Sequence, residues 1–212
     1  MGARAENRTV TRTRGPGAAH DQRRGEILAA VGQLAAEHGP LAVSQSAVAA
    51  VAGVSPGRVQ HYFPSKDEML TAAFEDLNAR SSVRVRERVG CDLSSAVPRA
   101  VLEAVLTELI PYDEVTRAHV QFRQAYTALA LHHDEVATRL RSRYQHLHCD
   151  DLAGLIRRDQ ETGVIDGGAQ PHAIAVRLSA LAEGLAYYVL IGIAASETAH
   201  DIVLAEIAAI YR

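Results

Sequence analysis

The sequence predicts an all-α protein, a small N-terminal helix-turn-helix unit followed by a larger helical body. Three observations predict it. Apolar residues recur at the 3.6-residue helical period in nearly every segment after residue 20, and strand-like alternation is sustained nowhere. Ser or Asp before the apolar runs, and Gly or Pro after them, mark helix starts and stops along the chain. The chain has 212 residues, 48% of them hydrophobic, enough to bury a sizeable core.

Residues 1–20 hold Gly, Ala and Thr with Arg4, Arg8, Arg12 and Arg14 and no apolar period, so a disordered basic arm is expected there. Asp21 is a candidate N-cap for the first helix, which carries the stripe Ile27, Val31, Leu34, Ala35 and stops at His38-Gly39-Pro40. Ser44 caps a second helix, with Val43 and Val48 at hydrophobic-staple spacing, and Gly53 ends it. Ser55 caps a third, short helix with Pro56 at its first position, where a missing N–H costs nothing; Pro64 closes it. Ser65-Lys66-Asp67-Glu68 is a capping-box sequence opening a fourth helix that runs to about Gly90. Five more are expected over about Leu93–Leu109, Asp113–His132, Asp134–Glu161, Pro171–Ala194 and Glu197–Tyr211, with Gly163–Gly168 as a loop. The domain reading is a helix-turn-helix unit over 21–66 and a helical body over 67–212.

The formal net charge of −3 gives no sign of a polyanionic partner, but its distribution does. Residues 1–66 carry eight Arg/Lys against four Asp/Glu, and residues 67–212 carry fourteen against twenty-one. A basic end on an acidic body points to an anionic partner for the N-terminal part. No apolar run reaches the roughly 18 residues of a bilayer span. Leu178–Ala195 comes nearest and is interrupted by Glu183, so no membrane partner is expected. A polar N-terminus without an apolar h-region, and two cysteines (Cys91 and Cys149) outside any CxxC, fit a cytoplasmic protein. Nucleophile-elbow, P-loop, dinucleotide and zincin motifs are all missing, so neither enzymatic activity nor a cofactor is expected. His146, His148, Cys149 and Asp150 invite a metal reading, but only His146 and Asp150 share a helix face, and no metal site is expected.

Residues 44–63 carry the functional reading. Val48, Val54, Val59 and Phe63 point to a common core, Ala49 lets the two helices cross closely, and Gly53 supplies a left-handed turn. That leaves Arg58, Gln60 and His61 on the outer face of the third helix, a presentation suited to the DNA major groove. Arg can pair bidentately with guanine and Gln with adenine. Ser44, Gln45, Ser55, Pro56, Gly57, Tyr62 and Lys66 surround this helix and complete the expected DNA-contacting set, several of them at helix N-termini where phosphates bind well. Such a hairpin also occurs in purely structural helical proteins, so a helical scaffold or interaction protein is the alternative at this stage.

The stretch from Ala49 to Leu70 resembles the DNA-binding domain of the TetR family of regulators. The match lies in Val48-Ala49, Ala52-Gly53-Val54-Ser55, Phe63 and Ser65-Lys66-Asp67. Gln60 departs from it, standing where the family usually has Tyr. The His61-Tyr62-Phe63 ending is similar to the BetI-like branch, as are Val120–Tyr126, Gly163–Gly168 and Leu178–Leu185. The resemblance implies a nine-helix protomer. It also implies a homodimer on double-stranded, pseudo-palindromic operator DNA, and a repressor released by a small-molecule effector, with an activator as the alternative.

The last two helices carry a strong apolar stripe and further apolar residues off it (Val176, Leu190, Ile191, Leu204). Leu178, Leu181, Leu185, Val189, Ile202, Ile207 and Ile210 are expected at a dimer interface, pairing as a four-helix bundle. A fully buried core helix would show the same periodicity. On the sixth helix, His119, Phe122, Arg123 and Tyr126 are expected to line a ligand pocket, joined by Phe74, Tyr112 and Tyr188.

Overall fold

The computed structural model describes residues 16–211, all of whose regular structure is helical. Residues 1–15 of the expected arm lie outside the described residues. Nine helices follow in order. They are α1 (Pro16–His38), α2 (Gln45–Ala52), α3 (Pro56–Tyr62), α4 (Lys66–Val89), α5 (Pro98–Glu108) and α6 (Glu114–Leu129). Then come α7, made of Asp134–Gln145 and Ala153–Glu161 joined through a π-helical stretch His146–Leu152, α8 (Pro171–Leu190) and α9 (Ser196–Ile210).

The start signals work as their chemistry requires. Ser44, Ser55 and Ser65 each accept a backbone N–H at the head of α2, α3 and α4, from Ala47, Arg58 and Glu68 at 3.1, 3.3 and 3.1 Å. Asp113 caps α6 in a reciprocal box with Thr116. Gly53 ends α2 with φ at +64°, a backbone state that an L side chain resists.

The helices differ from expectation at several points, among them the following, each with a local reason. α1 begins at Pro16, whose fixed φ suits a first helical turn, so Asp21 lies inside the helix and residues 16–20 are helical. α5 starts at Pro98 instead of Leu93, because Asp92 holds the preceding segment in a turn: its carboxylate accepts from Ser94 N and its carbonyl from Ser95 and Ala96 N. α8 stops at Leu190, just before Gly192 at φ +79°. α7 contains the π segment, which inserts one residue into a turn. Its apolar stripe runs Leu140, Tyr144, Leu147, then Leu152, Ile156. The five-residue step from Leu147 to Leu152 is what a π turn keeps in register.

By length and composition alone α8 is long and apolar enough to cross a membrane, although His172, Arg177 and Glu183 interrupt its apolar run. It lies in the body, with Ile174, Leu178 and Leu185 buried.

Two apolar cores organise the chain. One joins α1–α3 and the first turns of α4 to Phe122 and Tyr126 of α6 and to Val136 and Leu140 of α7. The other is built from α5, the second half of α7, α8 and α9. α4 and α6 thus run from the N-terminal head into the body. Replacing Gly53 by Ala is expected to cost about 1–2 kcal/mol, read as a lower midpoint in urea unfolding with unchanged m-value.

Candidate DNA interface and ligand cavity

The head holds α3 outward on three buried side chains, Val48, Val59 and Phe63, with Val54 packed beside them. Arg58, Gln60 and His61 are exposed, and the side chains of Arg58 and Gln60 form no hydrogen bond among the described residues. Pro56 and Gly57 are exposed at the start of α3, where no side chain crowds Gly57. Tyr62 is half-buried, its ring 4.7 Å from that of His20 on α1. The early start of α1 therefore braces the end of α3.

Two members of the expected DNA set are occupied within the head. The Gln45 amide donates to the carbonyls of Phe63 and Pro64 at 3.2 and 3.0 Å, pinning the exit of α3 to the start of α2. The Lys66 ammonium donates to the Leu41 carbonyl at 3.0 Å. The N-termini of α2 and α4 flank a shallow depression lined by Ser44, Ser46, Ser65 and Lys66. Ser46 was not singled out from the sequence; its Oγ lies 3.2 Å from that of Ser44.

The body encloses a cavity of about 540 Å³, within the range of small-molecule sites. Phe74, His119 and Arg123 line it as expected; Phe122 and Tyr126 stand behind the wall in the head core. Tyr126 stacks on Phe74 at 4.5 Å and shares a hydrogen bond of 3.1 Å with Thr71. Tyr112 and Tyr188 do not line it. Tyr112 lies outside and donates to Glu108 at 3.1 Å. Tyr188 is exposed on α8, rotated off the inward-facing stripe that carries its neighbours Leu185 and Val189.

Sequence reasoning missed Glu108, because a lone Glu in an apolar helix carries no motif. Its carboxylate is 1% exposed and pairs with Arg84 at 2.6 Å and Arg88 at 3.2 Å. Ser81 and Tyr112 donate to it as well. A buried carboxylate is tolerable only with such saturation. Arg123, almost wholly buried, donates to the Leu109 carbonyl at 2.9 Å, but its Nε has no partner. His119 is pushed down to about 3 by burial and then by the Arg123, Arg84 and Arg143 guanidiniums. Tyr144 donates to Glu183 at 2.7 Å; burial, with Glu183 beside it, pushes the phenol up from its usual range.

Comparison with known proteins places this geometry. Residues 27–73 match the model of bacterial regulatory proteins of the tetR family, and residues 98–212 match that of the BetI-type transcriptional repressor C-terminal domain. The chain belongs to the TetR family. Among curated relatives, the HTH-type transcriptional regulator PksA of Bacillus subtilis (strain 168) is 27% identical over 180 residues, covering 81% of this chain and 80% of PksA. BetI of Rhizobium meliloti (strain 1021) is 29% identical over 133 residues, 63% of this chain and 64% of BetI. The crystal structure of a TetR-family regulator from Rhodococcus sp. superposes with a TM-score of 0.79 at 26% identity, covering 91% of this chain and all of that one. A regulator from Saccharomonospora viridis, solved in complex with choline, shares the fold at TM-score 0.74 and 22% identity, over 86% of this chain and 94% of its own. The chain is therefore a DNA-binding transcriptional regulator.

In this TetR-family protomer most of the expected interface residues are core. Leu178, Leu185, Val189 and Ile207 are buried within the protomer, and Leu181 and Ile210 pack half-buried against the same core. The inward stripe of each helix is taken up by its own protomer. What α8 and α9 leave exposed is the second apolar face: Val176, Tyr187, Tyr188, Ile191, Ile193 and Ile202. Of the expected set, only Ile202 is on it. In the α7 cluster, His146 pairs with Asp150 at 2.7 Å while His148 turns toward the Tyr144 ring.

His119 makes stability depend on pH. Its folded-state affinity for a proton is lowered, so the unfolded chain binds more protons, and this contribution is full above about 6.5 and lost as pH falls toward 3. His119→Gln is expected to flatten the acid limb of the unfolding free energy by up to about 1.4 kcal/mol per pH unit, measured by urea unfolding between pH 7 and 4.

Proposed function

We propose that this regulator is a homodimeric repressor that leaves its operator when a small molecule fills the body cavity. The observation that carries the reading is the stack of Phe74 on Tyr126: one ring lines the cavity, and the other belongs to the core that holds α3. A change in cavity shape is then a change in the seat of the head. Ligand that prefers one of two such packings shifts the population between DNA-competent and incompetent states. The choline-bound neighbour supports a small molecule as the effector.

On DNA, Arg58, Gln60 and His61 read base edges, while Ser44, Ser55, Tyr62 and the N-termini of α2 and α4 meet phosphates. Gln45 and Lys66 act by fixing the hairpin. The exposed face of α8 and α9, with Tyr187, Ile191 and Ile202 at its centre, pairs with a second copy, so that two α3 helices meet half-sites of a pseudo-palindrome.

Fluorescence anisotropy with the DNA upstream of the protein's own gene tests the DNA arm. Arg58→Ala is expected to weaken specific binding by about 1–3 kcal/mol with unchanged thermal stability, and affinity should fall steeply with salt. Salt-insensitive binding, or an unchanged Arg58→Ala variant, would count against it. Sedimentation should show a dimer that Ile191→Glu or Ile202→Glu converts to folded monomers; a wild-type monomer would refute the pairing.

A further inference from the structure

The unsatisfied polar atoms of the cavity are donors. Arg123 Nε is buried without a partner. His119 lies one turn earlier on α6, and its Nδ1 sits 3.4 Å from Arg84 Nη2, which can only donate. That contact puts the ring proton on Nε2, the other buried atom without a partner. Arg143 also lines the cavity, its guanidinium 5.7 Å from the Phe74 ring. Burial lowers its hold on its proton and Arg123 adds to that, against the opposing pull of Tyr144, Asp151 and Glu75.

The acceptors are otherwise engaged. Glu108 is saturated by four donors. Asp150 and Asp151, at the cavity's α7 wall, pair with His146 at 2.7 and 3.7 Å. Glu183 takes the Tyr144 hydroxyl and lies beside the Arg123 guanidinium without reaching its Nε. The apolar part of the wall comes from Val85, Val101, Val105, Leu147 and Leu155.

Buried donors without acceptors are costly, and a ligand oxygen is what removes that cost. From this we infer that the cavity takes an amphipathic carboxylate, its single negative charge on Arg123, His119 Nε2–H and Arg143 and its apolar chain against the valine and leucine wall. The inference rests on the proposal that this cavity is the effector site, and it names the effector's chemical class. A quaternary ammonium ion such as choline brings no anionic acceptor for the Arg123 Nε and His119 Nε2 donors, and the Phe74 ring already faces Arg143.

Isothermal titration calorimetry on the full chain decides it, with hexanoate, octanoate and decanoate set against octanamide, octylamine and choline. At least one carboxylate should bind saturably, with octanoate at least tenfold tighter than octanamide, and the two cations should not bind. Arg123→Met should remove the preference for octanoate over octanamide. Because Arg123 also bonds the Leu109 carbonyl, Arg143→Gln is the second variant, and it should weaken octanoate severalfold at unchanged Tm. Equal affinity for octanoate and octanamide, tighter binding of octylamine or choline, or no saturable binding by any carboxylate would overturn the inference. Operator anisotropy in the same samples separates the two proposals. A carboxylate that binds without releasing DNA leaves the ligand class standing and removes the release mechanism. Release by choline does the reverse.

Discussion

The structure depends on one aromatic contact, Tyr126 packed between Phe74 and Phe122 with its hydroxyl on Thr71. Fully buried aromatics contribute more area to a core than any other side chains, and stacked pairs add about 0.5–1.5 kcal/mol beyond that area. Here the area is shared by two functions. Phe74 lines the near wall of the cavity, and Tyr126 and Phe122 behind it belong to the core beneath α3. Close-packed interiors change between discrete arrangements and do not deform continuously, so a wall residue cannot move without its head-side neighbour responding.

The cavity itself is held open by charge. An apolar cavity of this size would favour collapse, but Glu108, tied to Arg84 and Arg88, bridges α4 and α5 at its edge. Breaking one partner of such a buried pair leaves an uncompensated charge. The π segment of α7 is the opposite wall, and Leu147, Asp150, Asp151 and Leu152 come from its wide turn. Single π turns gather at functional sites because they re-aim side chains without ending the helix. The polar floor and the widened helix together keep space between α4, α6 and α7.

The head was legible in the sequence almost residue by residue, because its signals are local. Ser44, Ser55 and Ser65 bond amides three residues on, Gly53 is needed for its own backbone angle, and Val48, Val59 and Phe63 are neighbours in sequence as in space. The body was legible as helices but not as a site. Helical period tells which face is buried and not against what. Leu178, Leu185 and Ile207 were therefore expected at an interface and are protomer core, while Tyr188 was expected in the pocket and is exposed. Glu108 and its arginines lie some twenty residues apart, a pairing no periodicity records. The π turn did leave a trace, the five-residue step from Leu147 to Leu152.

The central claim is that head and cavity share one cooperative core through Tyr126. Native-state hydrogen exchange on Tyr126→Leu tests it most directly, because exchange resolves which elements open together. The account predicts that amides of α1 and α3 lose protection along with those of α6. A loss confined to α6, with α1 and α3 exchanging as in the unsubstituted protein, would contradict it.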